Sequence, residues 1–172
     1  MIYIELVHKS KTGDSDSFAK LIKIYEKDLY RVAIAMVKNN DDALDCIQDT
    51  ILKAYKNINK LNNEAYFKTW LIKILINKCN TVISKNKRFT SLSSINSEPS
   101  YSDNFNQVEV SDIVDKLDHT LKILVTLYYY EDMSIKEISE SLHIPEGTIK
   151  SRLSRARGQL KSMLDDEYSE VL

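Results

Sequence analysis

At 172 residues and a formal net charge of −1, the chain is long enough for one or two small domains, each burying its own core. Two cysteines exclude a disulfide framework and make a reducing compartment the default, and the apolar runs are too short to cross a bilayer. The near-zero charge hides basic clusters at 78–88 and 150–161 and acidic ones at 41–49 and from 165 onward, so local rather than total charge speaks for nucleic acid. With 3 glycines, 2 prolines and a helical period nearly throughout, the expected class is all-α. His8, His119 and His143 lack ligand-like spacing, and neither a glycine-rich phosphate cradle nor a nucleophile motif occurs. No metal, cofactor or small-molecule substrate is therefore expected, nor an enzyme. The opening residues lack an apolar core followed by a cleavage-like site, which makes a soluble, cytoplasmic protein the expectation.

The first clear helix follows the polar run 13–17, with Phe18, Leu21, Ile22, Tyr25, Leu29, Val32, Ala33 and Met36 on its apolar face and Asn39-Asn40 at its end. A second begins at Asp41 and Asp42, where carboxylates suit the positive end of the helix dipole. Leu44, Ile47, Ile51, Ala54, Tyr55 and Ile58 form its expected core stripe, leaving Asp45, Gln48, Asp49 and Lys53 for solvent or a partner. After the asparagine-rich break 59–63, a third helix from about Glu64 is apolar on most sides over Phe67–Ile76, which puts Trp70 in the core, and turns basic past Asn77. Cys46 and Cys79 fall inside helical patterns as buried thiols. The helical period is lost between Ser91 and Gln107, so the expected organisation is a domain over 10–88, a flexible linker over 89–107 and a second domain over 108–165, with a frayed acidic tail.

In the second domain, Ile113, Val114, Leu117, Leu121, Leu124, Val125 and Tyr128 cradle a helix-turn-helix over 134–161. Ser134 and Glu137 have capping-box spacing, Ile135, Ile138 and Leu142 recur at helical spacing, and Pro145 stands where a new helix tolerates it. Ile149, Leu153, Ala156 and Leu160 point inward in the second helix, while Lys150, Arg152, Arg155, Arg157 and Lys161 carry positive charge around the rest. That charge suits a phosphate-lined groove. Thr148, Lys150, Ser151 and Arg152 lie in the first turns, which approach base edges, and Arg155, Arg157 and Lys161 lie within reach of the flanking backbone.

The order of these features resembles a bacterial sigma factor of the compact extracytoplasmic-function type. EISESLHIPEGTIKSRLSRAR is similar to the promoter-reading segment of that group, Asp42 to Thr50 to the acidic segment that holds RNA polymerase, and Phe67 to Leu71 with Asn77 to the helix preceding strand capture. The resemblance covers about residues 10 to 165. It implies a subunit without an active site that directs core RNA polymerase to promoter DNA, in response to envelope or other stress, under an anti-sigma factor commonly anchored in the membrane. By the same resemblance, Thr148, Lys150, Ser151, Arg152, Arg155 and Arg157 read the minus-35 element, and Asp42, Asp45, Gln48 and Asp49 bind core polymerase. Asn62 and Asn63 lie where the family holds a flipped base, and Asn77, Lys78, Asn80, Lys85, Lys87 and Arg88 lie along the minus-10 element. Thr81 stands where an acidic residue is common in the group, and Ser84 where a basic one is. Two other readings compete: a stand-alone regulator that binds its operator without polymerase, and an all-α adaptor whose basic helix is a solvated or protein-binding face.

Overall fold

A helix that the apolar pattern does not announce, α1 (Ile2–Lys11), opens the chain, ahead of the domain limit expected at residue 10. Its inward positions include Val7 and Ser10, and a serine in the buried stripe conceals the period. Gly13, at φ +100°, and Asp14 close it: their N–H groups reach the carbonyls of Ser10 and Lys9, both at 3.1 Å, in a left-handed terminal turn that favours glycine. Asp14 then caps α2 (Ser15–Val37), accepting from the backbone of Asp16 at 3.0 Å and of Ser17 at 3.3 Å and from the Ser17 hydroxyl at 2.7 Å. The Ser17 hydrogen bonds hold the Asp14 carboxyl below the usual carboxylate range.

The structure, a computed structural model, describes residues 2–92 and 110–169, with side chains over 3–88 and 113–165. Every regular element among the described residues is helical. The chain divides into two units, one on either side of residue 100.

In the first unit, Lys38 ends α2 in a left-handed conformation and Asn39 caps α3 (Asn40–Asn57), its side-chain oxygen accepting from Asp41 and Asp42. Two single 3-10 turns, Ile58–Lys60 and Glu64–Tyr66, frame the break before α4 (Phe67–Leu92). Helices α2, α3 and α4 pack against one another around Leu21, Leu29, Val32, Phe67, Leu71, Leu75 and Ile76, and α1 lies on α2. Cys46 of α3 and Cys79 of α4 are buried, and burial pushes both thiols up, so they stay protonated.

The outward faces differ from expectation at α3. Its buried positions are Ala43, Cys46, Thr50 and Ala54, whereas Leu44 and Tyr55, expected in the core, are 43 % and 46 % exposed. Small side chains let α3 approach its neighbours closely, so the helix turns its smaller stripe inward. Trp70, also expected in the core, is half-buried, with its ring 5.9 Å from that of Phe67. The last turn of α4 carries the helix past the limit expected at 88; the remainder of the expected linker, from 93, lies outside the described residues.

The second unit comprises α5 (Val110–Asp115), α6 (His119–Val125) capped by Asp118, a π-helical turn (Thr126–Tyr130), α7 (Ile135–Leu142) and α8 (Glu146–Ser169). Val114, Leu117, Leu121, Val125 and Ala156 form one cluster of its core, with Tyr130, Leu160 and Met163 packed against them, and Leu124, Leu127, Ile138, Ile149 and Leu153 are also buried. Because Leu160 and Met163 still contact that core, α8 continues through residues expected to fray.

Candidate nucleic-acid interface

Local hydrogen bonds fix the α7–α8 corner. Ser134 N–H donates to Glu137 Oε2 at 2.9 Å while Glu137 N–H donates to Ser134 Oγ at 3.2 Å, so each residue satisfies an orphan donor of the first turn. His143 ends α7 in the left-handed region at φ 56°, and Ser139 Oγ donates 2.7 Å to the carbonyl of Ile144 across the corner. Pro145 accepts the first helical hydrogen bonds of α8 from Thr148 and Ile149, at 3.0 and 3.1 Å.

Ile149, Leu153 and Ala156 are buried, which fixes the rotation of α8. At helical spacing the candidate readers then fall on two flanks. Thr148, Ser151, Arg152 and Arg155 occupy one, Lys150 and Arg157 the other, with Lys161 following them. Thr148 and Arg152 are half-buried and the other four of the minus-35 set are exposed. Lys150 Nζ lies 3.9 Å from Glu146, and Arg157 Nη1 donates 3.2 Å to the hydroxyl of Tyr129 in the π-helical turn, which steadies that guanidinium on the rim. A helix with cations on both flanks and small hydroxyls at its start has the arrangement needed to enter a groove between two phosphate walls.

In the first unit, Asn77, Lys85, Lys87 and Arg88 are exposed along the outer end of α4, and Lys78 and Asn80 are half-buried. The hydroxyls of Thr81 and Ser84 donate to the carbonyls of Asn77 and Asn80, at 3.0 and 2.8 Å. Asn80, Thr81, Ser84, Lys85 and Arg88 together line an open groove. One helix face away, Lys78 Nζ reaches Asp49 Oδ2 at 3.1 Å and Asn86 Nδ2 reaches Asp42 Oδ2 at 3.2 Å. Two residues expected to meet polymerase are therefore joined to α4, the helix expected to meet DNA.

Asp45, Gln48 and Asp49 are exposed on α3 and Asp42 is half-buried. Beside them stand Leu44, Leu52 and Tyr55, of which Leu52 is 59 % exposed. The helical period alone places Leu44 and Tyr55 in the core and leaves Leu52 out; their spacing with Gln48, at 44, 48, 52 and 55, is the signal of a second, outward stripe. In the break, Asn62 and Asn63 are both exposed, and Asn63 Oδ1 caps the next turn by accepting from Ala65 N–H at 3.0 Å. Tyr66, 61 % exposed, is an aromatic side chain at this place that sequence reasoning passed over.

Residues 21–89 match the family described as Sigma-70 region 2, and residues 107–160 match Sigma-70, region 4. RNA polymerase sigma factor SigV of Bacillus subtilis (strain 168) is 30 % identical over 162 residues, which cover 92 % of this chain and 98 % of the relative. The chain belongs to the extracytoplasmic-function group of the sigma-70 family. The ECF RNA polymerase sigma factor SigW of the same organism is 29 % identical to this sigma factor, over 96 % of the chain and 98 % of the relative. Among solved structures, the sigma factor RpoE of Bartonella quintana, in complex with the anti-sigma factor NepR, aligns with a TM-score of 0.66 and 25 % identity over 86 % of this chain and 96 % of its own. CnrH in complex with the cytosolic domain of CnrY has the same fold, with a TM-score of 0.61 and 20 % identity over 96 % and 99 %. The region 2 match takes in α2 from Leu21 onward, α3, and α4 as far as Phe89, and the region 4 match takes in the helix-turn-helix; α1 of the sigma factor precedes both. No helix among the described residues is long and apolar enough to cross a membrane.

Proposed function

We propose that this sigma factor divides its work between its two units. The face of α3 formed by Leu44, Asp45, Gln48, Asp49, Leu52 and Tyr55, with Asp42 at its edge, docks on core RNA polymerase. Asn62, Asn63 and the basic end of α4 engage the minus-10 element, and α8 reads the minus-35 element. Tyr66 offers a flat surface for an unstacked base beside the two asparagines. The domain limits follow the same division: an N-terminal domain through the end of α4, a linker, and the helix-turn-helix domain. Catalysis belongs to the polymerase, and the protein works in the cytoplasm.

The observation that carries this reading is the contrast of exposed chemistry on one chain, an apolar and acidic helix in one unit and a basic, capped recognition helix in the other. Each unit has few DNA contacts with which to offset the cost of association, so strong promoter binding requires polymerase to hold both at once. The α3 face is also the surface an anti-sigma partner would cover, since its exposed leucines and tyrosine gain most from removal from water. Such a partner, tethered to a membrane, would hold the sigma factor inactive until a signal releases it.

Run-off transcription from the DNA upstream of its own coding sequence, with bacterial core polymerase and the purified protein, tests the reading. Specific transcripts that require both components are the expected result. A protein that shifts this DNA without polymerase and yields no transcript with it would be a stand-alone regulator instead.

A further inference from the structure

Lys11 sits in the last turn of α1, where a cation ordinarily neutralises the final carbonyls of its own helix. Its Nζ instead donates 2.9 Å to the carbonyl of Leu61, 50 residues further along the chain, and lies 3.7 Å from Glu64 Oε1. His8, one turn earlier, has Nδ1 3.2 Å from the same Glu64 oxygen. The Lys11 and Glu64 side chains are only 24 % and 23 % exposed, so this contact is better shielded than an ordinary surface pair.

Leu61 immediately precedes Asn62, and Glu64 immediately follows Asn63. The backbone of Leu61 is extended and outside any helix, and the flanking 3-10 turns are closed by short-range backbone hydrogen bonds, Leu61 N–H to Ile58 and Tyr66 N–H to Asn63, both 3.1 Å, and Phe67 N–H to Glu64. Leu61 is anchored inward by its buried side chain. Contacts from α1 therefore hold the backbone just before the two asparagines, at Leu61, and the side chain just after them, at Glu64.

We propose that α1 positions the base-capture turn, with Lys11 and His8 acting through Leu61 and Glu64 to fix the direction in which Asn62 and Asn63 present their amides. This rests on the reading of the 59–63 break as the place where a flipped base is held. Lys11 is a positioning residue and does not touch DNA. A turn already set in the bound geometry discriminates among bases, because a wrong base leaves a fixed amide without its partner, whereas a slack turn adjusts to any of them.

The test uses the full chain on bacterial core polymerase and a promoter set carrying each of the four non-template bases at every position of the minus-10 element. Open complexes are read by permanganate reactivity of unpaired thymines. Lys11→Met is expected to narrow the preference for the best base about fivefold, the scale of one lost hydrogen bond, with polymerase affinity unchanged and the thermal midpoint lowered by no more than a few degrees. Lys11→Arg keeps a donor and should retain the preference, and Glu64→Gln should narrow it less than Lys11→Met. A Lys11→Met protein that lowers open-complex yield equally for all bases, or not at all, overturns the proposal. Joint replacement of Asn62 and Asn63 by Ala separates the two readings. If it leaves base preference intact, base capture at this turn fails and the positioning role falls with it. If it erases the preference while Lys11→Met does not, the positioning role alone is lost.

Discussion

Helices α3 and α8 bury similarly narrow stripes, Ala43, Cys46, Thr50 and Ala54 in one and Ile149, Leu153 and Ala156 in the other, yet they turn opposite chemistries outward. Helix α3 exposes two leucines and a tyrosine among carboxylates; α8 exposes lysine, arginine and serine. Apolar side chains at 43–59 % exposure gain by being covered with another apolar surface, which a phosphate backbone does not supply. Cations on both flanks of a helix gain from phosphate and displace counterions. The difference teaches that a narrow buried stripe is enough to dock a helix in its unit, and that the wide remainder is left to carry whatever chemistry a partner requires.

The comparison breaks most visibly at α8. Replacing Arg152 and Arg155 together by Ala should abolish specific run-off transcription while polymerase binding persists, because each lost base or phosphate contact costs about 1–3 kcal/mol. Arg157→Ala, on the other flank and within reach of the backbone, is expected to weaken promoter binding with little change in sequence preference and to reduce the slope of its salt dependence by about one. Equal loss of preference from both flanks would erase the division between them.

At α3 the expected effect is smaller and of the opposite kind. Leu52→Asp should weaken polymerase affinity about tenfold with little dependence on salt, as for an exposed interface anchor, and leave the thermal midpoint unmoved since Leu52 is 59 % exposed. A fall in thermal stability instead would mean that this side chain supports the fold.

The smallest effect separates the units rather than the faces. Ser134→Ala removes both the hydroxyl that caps α7 and its link to Glu137, and should destabilise the second unit by about 1 kcal/mol in urea unfolding. Packing of the first unit, followed by the fluorescence of Trp70, should be unaffected.

Much of the second unit was legible because its signals are local. Ser134, Glu137 and Pro145 each act within one turn, and the buried positions of α8 follow a clean period. The first unit concealed more. Ser10 interrupts the apolar stripe of α1, and in α3 the alanines, cysteine and threonine that face inward carry less hydrophobic weight than the leucines and tyrosine that face out. A period count follows the larger side chains, whereas close packing of three helices selects the smaller ones. The candidate site divides in the same way: the candidate readers on α8 stand out by composition and spacing, but the contact of Lys11 with Leu61 joins residues 50 apart and leaves no trace in either segment.

The thiols of Cys46 and Cys79 carry a last consequence. Both are protonated and shut inside the contact between α3 and α4, so a thiol reagent meets them only when that contact opens. With no other cysteine in the sequence, the labelling rate of the native protein is a clock for the breathing of its first unit, and a partner that clasps α3 onto α4 would slow that clock without touching either sulfur.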